Sequence, residues 1–177
     1  QFFAKWRKNN PRESKRVLNR GNLLHTTIED YLNNKNIDLL SATPVVATLF
    51  AQLKPELDKI DNILALEAPL WSSTLGLAGR IDCIAEYNGE LSIIDFKGST
   101  RMKRIDDIDN YFTQATAYAI MWHERTGQPI HKFNILMSTE ASCTPQVFSG
   151  NPIDYVKDLH EAIKYYRKDT QEMLLNK

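Results

Sequence analysis

Residues 79 to 97 read GRIDCIAEYNGELSIIDFK, two largely apolar runs on either side of Asn88-Gly89. Asn-Gly is favoured in a two-residue hairpin turn because both central positions of that turn need positive φ. The spacing therefore predicts antiparallel strands over 75 to 87 and 90 to 98, with Tyr87 facing Glu90 and paired residue numbers adding to 177. In that register Asp82 faces Asp95, with β-carbons about 5 Å apart. Asp95 and Lys97, two apart on a strand, emerge on the same face. Acids are poor strand formers, and like charges directly opposite destabilise a sheet. A divalent cation between the two carboxylates compensates, and hard oxygen donors favour magnesium or manganese. Lys97 beside such a site can hold an attacking water or the charge that develops on a phosphate. The competing reading is an internal salt bridge between Lys97 and one acid at a sheet edge.

Upstream, Val17, Leu18, Leu24, Ile28, Tyr31 and Leu32 recur mostly at helical spacing and predict a helix over about 14 to 32, with Gly21 in its interior. A shorter helix is predicted over about 43 to 60, opened by Pro44 and broken or restarted at Pro55. Residues 62 to 70 read as a strand, which makes an antiparallel meander with the hairpin. Downstream, an acidic loop (Asp106, Asp107, Asp109) precedes a helix over about 110 to 125, stopped by Gly127. A strand over about 130 to 139, a short one near 145 to 149, and an amphipathic helix over about 153 to 174 opened by Asn151-Pro152 complete the chain. The order predicts an α/β fold with a mixed central β-sheet flanked by α-helices. Without a repeat or linker, one domain over 1–177 is the economical reading, helical over about 1–60 and carrying the catalytic sheet and helices over about 61–177.

Composition narrows the function. The chain has 177 residues, 42% hydrophobic and 25% charged, which suits one globular domain with a real core. No apolar run is long enough for a membrane span, and the first residues lack the layout of a signal peptide, so a soluble intracellular protein with no membrane partner is expected. Two cysteines, Cys83 and Cys143, are too few for a disulfide framework, a four-thiolate zinc site or an iron–sulfur cluster. Any metal must then sit on oxygen and nitrogen. The 22 basic and 22 acidic residues cancel, but residues 1 to 20 carry seven basic side chains against Glu13 alone. A second basic cluster, Lys97, Arg101, Lys103 and Arg104, lies mid-chain. Either cluster can meet phosphates or form a solvated face.

Two helical pairs share a face at i,i+4 spacing: His25 with Glu29, and Gln114 with Tyr118. Taken singly, these residues read as packing, capping or surface. Together with the hairpin they are ordered as G21-x-x-x-H25-x-x-x-E29, G79-R-I-D82, I-I-D95-F-K97-G-S and Q114-A-T-A-Y118. This series resembles the PD-(D/E)xK nuclease superfamily in its RecB-type exonuclease branch, and within it the mitochondrial genome maintenance exonuclease group and its phage relatives, over roughly residues 14 to 170. Arg80 departs from that group, where an apolar residue is expected, and so does the N-terminus, which begins without the upstream segment such proteins carry.

The resemblance implies a restriction-endonuclease-like core and a metal held by Asp82, Asp95, the backbone carbonyl of Phe96 and His25. Lys97 matches the catalytic lysine. Glu29 is placed to orient His25, and Glu67 resembles an acid common in the branch, beside the first metal or at a second one. Gln114 can bond the water or a phosphate oxygen, and Tyr118 can donate to the phosphate backbone. Ser99 and Arg101, with Lys103 and Arg104, follow closely enough to touch neighbouring phosphates. Gly21 is explained by close approach of its helix to the sheet or to DNA. Tyr111, Phe112 and Trp122 can stack bases or pack in the core. The implied activity is a magnesium- or manganese-dependent DNA exonuclease acting on free ends of single-stranded DNA through a metal-activated water. It would work in the cytoplasm of a cell or phage host, or in mitochondria for an organellar homologue. The same core also serves endonucleases and catalytically silent nucleic-acid-binding domains.

Overall fold

The computed structural model describes residues 8–39 and 42–175. Lys5 and Arg7 of the first basic cluster lie outside the described residues. The elements are α1 (Pro11–Leu32), α2 (Pro44–Leu57), β1 (Ile60–Ser72), β2 (Leu77–Tyr87), β3 (Glu90–Ser99), α3 (Asp109–Thr126), β4 (Phe133–Thr139), β5 (Gln146–Gly150) and α4 (Val156–Leu175). Short 3-10 turns at Ile105–Asp107 and Pro152–Tyr155 precede α3 and α4. No helix among the described residues is long and apolar enough to cross a membrane.

One five-stranded sheet has the order β1-β2-β3-β4-β5. The first three strands form the expected antiparallel meander. Between β3 and β4 the chain crosses over through α3, so these two strands run parallel. The N–H of Ile93 donates to the Lys132 carbonyl at 3.0 Å, and the N–H of Glu140 to the Ser99 carbonyl at 3.0 Å. The sheet is therefore mixed. All seven positions of β4 are buried, as a strand with neighbours on both sides requires.

The chain forms two compact units. One joins the chain up to Asp58 with Phe96–Met102 and Leu136–Gln146. Its core is the apolar stripe of α1, Leu24 and Ile28, together with Val46, Leu49, Phe50, Leu53 and Leu57 of α2. The Tyr31 ring meets Phe50 edge-on at 5.5 Å between centroids. Pro55 does not break α2, contrary to the expectation from sequence. The helix runs two residues past it to Leu57, and the Asp58 N–H still reaches the Lys54 carbonyl at 2.9 Å.

The other unit joins Lys59–Asp95, Lys103–Ile135 and the chain from Val147 onward. Ile81, Cys83, Ile84, Ile93 and Ile94 of the hairpin are buried here with Phe112 and Ala115 of α3. Phe112 stacks on Phe133 at 5.2 Å and touches Tyr155 at 5.1 Å, so it is a core residue and not a surface for stacking bases. Glu124 ties the end of α3 to the β1–β2 turn, accepting from the Ser72 hydroxyl and from the Ser73 N–H at 3.1 Å. Gly127 ends α3 in the left-handed conformation, its N–H on the His123 carbonyl at 2.8 Å. Asn151 opens the next turn by accepting from the Ile153 N–H at 3.0 Å.

Gln52, buried on α2, clamps the end of β4. Its Nε2 donates to the Thr139 carbonyl at 3.0 Å, and its Oε1 accepts from the Thr139 N–H at 3.1 Å. Thr139 is fully buried, so no solvent replaces this amide. Gln52→Ala should destabilise the protein by about 2–4 kcal/mol, because two buried backbone groups lose their partners at once. Urea unfolding measures this, and a loss below about 0.5 kcal/mol would mean that the clamp carries no stability.

Candidate active site

The turn residues Asn88 and Gly89 take φ of 53° and 79°, as the Asn-Gly reading requires. The pairs from Tyr87↔Glu90 to Cys83↔Ile94 all add to 177, the expected register. Asp82 and Asp95 are the next residues along it. Asp95 is buried, at 4% exposure, and Asp82 is half-buried.

On the other side of β2 the register changes. Ile60↔Tyr87 and Asp61↔Glu86 add to 147, while the pairs from Ala65↔Ile84 to Ser72↔Leu77 add to 149, with an irregularity between them. Glu67 thereby comes to lie between the pairs Leu66↔Cys83 and Ala68↔Ile81, level with Asp82. Oxygens of the two carboxylates lie within 4.8 Å of one another. Glu67 holds φ at +48°, a left-handed conformation that costs a non-glycine residue on the order of 1–3 kcal/mol. Two added residues in β1 and a strained glutamate together bring this acid to Asp82. Arg80, the departure from the resembled pattern, forms an ion pair with Glu67: the Glu67 side chain is 9% exposed and that of Arg80 65%. Beneath the acids, burial first and then the charges of Asp82 and Glu67 push the Cys83 thiol up to about 12.

Helix α3 is locked onto β2 above this pair. The Tyr118 hydroxyl donates to the Arg80 carbonyl at 2.8 Å, which takes the proton that the sequence reading reserved for a phosphate. A Cβ on Gly79 would stand 2.8 Å from the Tyr118 oxygen and 3.0 Å from its ring. Gly79 is thus the floor on which Tyr118 rests. An isolated glycine inside a strand is a sign of close approach, and it is the signal in the sequence for this contact. Gln114, one turn before Tyr118, is exposed, and its amide reaches the Tyr118 oxygen at 3.4 Å. Tyr111 and Trp122 are half-buried.

In the first unit, His25 projects half-buried from α1, its ring edge-on to Phe96 at 6.5 Å between centroids. Phe96 is the residue after Asp95 in the sequence. Lys97 follows at a half-buried position, and Glu29 is half-buried one turn beyond His25. Gly98 lets α1 approach β3, since a Cβ there would lie 3.1 Å from Leu24. Close approach to the sheet does not explain Gly21, as the sequence had suggested: a Cβ there meets nothing within 4 Å among the described residues.

The basic clusters divide. Arg20 is 5% exposed, pairs with Glu140 and donates to the Gly98 carbonyl at 3.2 Å. Arg16 joins Glu13 at 2.8 Å and Glu140 at 3.2 Å. Lys8, Arg12 and Lys15 are exposed, as are Arg101 and Arg104, while Lys103 is half-buried. The Ser99 hydroxyl closes its own turn, donating to the Arg101 carbonyl at 2.7 Å and accepting from the Arg101 N–H at 3.3 Å.

A sequence profile of the PD-(D/E)XK nuclease superfamily matches residues 1–174. The chain is also 40% identical over 47 residues to mitochondrial genome maintenance exonuclease 1 of Homo sapiens, a stretch covering 27% of this chain and 14% of that protein. The same figures hold for the protein of that name in Mus musculus. The matched stretch is thus a small part of these curated relatives. A crystal structure of a candidate exonuclease from Eubacterium rectale superposes with a TM-score of 0.56 at 13% identity, covering 85% of this chain and 65% of the other. That likeness bears on the fold.

The Gly79–Tyr118 contact is open to a double-mutant cycle. Gly79→Ala should cost about 1–3 kcal/mol, because the new methyl group dislodges the Tyr118 hydroxyl. Tyr118→Phe should cost about 1 kcal/mol through the lost bond to Arg80. The double variant should lose less than the sum by more than about 0.5 kcal/mol, since each change removes what the other disturbs. Additive losses in chemical denaturation would show that the two residues do not act as a pair.

Proposed function

Because the chain belongs to the PD-(D/E)XK nuclease superfamily, we propose that it is a single metal-dependent nuclease domain that hydrolyses single-stranded DNA from free ends. The observation that carries the reading is the carboxylate pair Glu67 and Asp82, half-buried on neighbouring strands with oxygens within 4.8 Å. Such a pair is at ease only when positive charge is close. Arg80 reaches Glu67 from the solvent side, and a hard divalent cation suits the remaining oxygen donors. His25, Glu67 and Asp82 carry the donor types that such an ion takes. We assign the ion to Asp82, Asp95, the Phe96 carbonyl and His25, with Glu67 beside it or at a second ion and Glu29 orienting the imidazole. Magnesium or manganese, when bound, lowers the pKa of a water and neutralises charge on a phosphate oxygen.

The chain's own residues do the rest. Lys97 holds the nucleophilic water and stabilises the charge that grows on the phosphoryl oxygens. Gln114, exposed in the second turn of α3, donates to a phosphate oxygen. Tyr118 keeps α3 and Gln114 in register with β2 through the Arg80 carbonyl. Arg101, Lys103 and Arg104 attract neighbouring phosphates, so affinity falls steeply with added salt. Ser99 supports this loop by fixing the Arg101 backbone. Chain hydrolysis joins the water oxygen to phosphorus as the bond to the leaving nucleotide oxygen breaks and that oxygen takes a proton.

End-labelled linear and covalently closed single-stranded DNA, incubated with manganese, separate the alternatives. Linear strands should be digested and circles spared. Cut circles would indicate an endonuclease, and binding without cutting of either would indicate a silent binding domain. Lys97→Ala should lower cleavage by at least about 100-fold while DNA affinity stays nearly constant, because its contact forms in the transition state. Asp95→Asn should weaken manganese binding in calorimetry. Wild-type cleavage by Lys97→Ala would overturn the mechanism.

A further inference from the structure

Six of the seven glycines have a reason inside the fold. Gly76, Gly89 and Gly127 hold positive φ, and a Cβ at Gly79, Gly98 or Gly150 would press on Tyr118, Leu24 or Phe133. Gly21 has none. It lies midway along α1, where glycine weakens a helix relative to alanine, and a Cβ there meets nothing within 4 Å among the described residues. The fold would gain from a side chain at this position.

Its neighbours on the helix suggest what keeps it bare. Steps of three and four residues return to the same flank, so Leu18, Gly21 and His25 stand in one line along α1. Leu18 is 62% exposed, a large apolar side chain presented to solvent. Lys15, a turn earlier, is exposed and cationic. Toward His25 the line thus offers a positive charge, an apolar contact and a stretch of uncovered helix backbone. These match, in order, a phosphate, a sugar or base face, and a chain that must come close to the protein. Gly21 lies about 6 Å of helix rise from His25, about the spacing of one nucleotide.

We infer that the sugar–phosphate backbone of the single-stranded substrate crosses α1 at Gly21, with Leu18 against a sugar or base and Lys15 at a phosphate. This rests on the single-strand nuclease reading given above. Glycine at this position then keeps the path open at the expense of helix stability, a trade that packing within the chain does not explain.

Gly21→Ala and Gly21→Leu test it through three measurements on the full chain: thermal unfolding, calorimetric titration with manganese alone, and kinetics on linear single-stranded DNA. Gly21→Ala should melt about 2–4 °C higher than the wild type. Its manganese affinity should be unchanged. KM for the strand should rise about tenfold with kcat nearly constant, and further for Gly21→Leu. Wild-type KM in both variants would overturn the inference and leave the nuclease reading standing. Lower melting of Gly21→Ala would also overturn it, by showing that the glycine serves packing. A wild-type protein that cuts no DNA under the same conditions would overturn both.

Discussion

Asn88 and Gly89 hold positive φ, and everything at the candidate site depends on the register that this turn imposes. A two-residue turn leaves no slack. Once Tyr87 pairs with Glu90, a slip of one residue would send every side chain of β2 and β3 to the opposite face. Ile81, Cys83, Ile93 and Ile94 are fully buried, so the core opposes such a slip. The acids on the same strands are carried along with the apolar residues. Asp82 and Asp95 occupy their positions because the two-residue turn sets this alignment.

A second constraint is layered onto the first. On the β1 side the pairing gains two residues, and the backbone of Glu67 enters a region that only glycine occupies comfortably. Strain of this kind persists only where surroundings over-determine it. Here they do so through the Arg80 ion pair and the contact of Gly79 with Tyr118, which hold neighbouring residues of β2 against β1 and α3. In the other unit, the buried Arg20 serves the fold more than the surface, binding Glu140 and the Gly98 carbonyl at once. A basic residue that looks available in a sequence is spent when an acid distant in the chain folds against it.

What could be read in advance was local. The Asn-Gly turn, the Gly127 stop, the Asn151-Pro152 opening and the helical stripe of Leu24 and Ile28 are each governed by residues within a few positions, and each appears in the structure. Pro55 leaves α2 unbroken where only two residues of the helix follow it, and Leu57, the last of them, is buried in the core. The strained Glu67, the 38-residue separation between Tyr118 and Arg80, and the 120 residues between Arg20 and Glu140 belong to tertiary structure. No pattern in the chain encodes them. The candidate acids and lysine were legible because alternation on strands is a two-residue rule. What supports them was not, because it comes from residues distant in the chain.

The two thiols differ in a way that matters at the bench. Cys83 is fully buried beneath the acids, and its proton is held up to about 12, so it presents no thiolate to an electrophile near neutral pH. Cys143 is exposed in the connection between β4 and β5. Alkylating reagents therefore meet a single reactive sulfur on the folded protein, without mutagenesis. A fluorophore or spin label attached there reports from a loop while the interior thiol stays silent, and the appearance of a second modified cysteine marks the loss of the native hairpin.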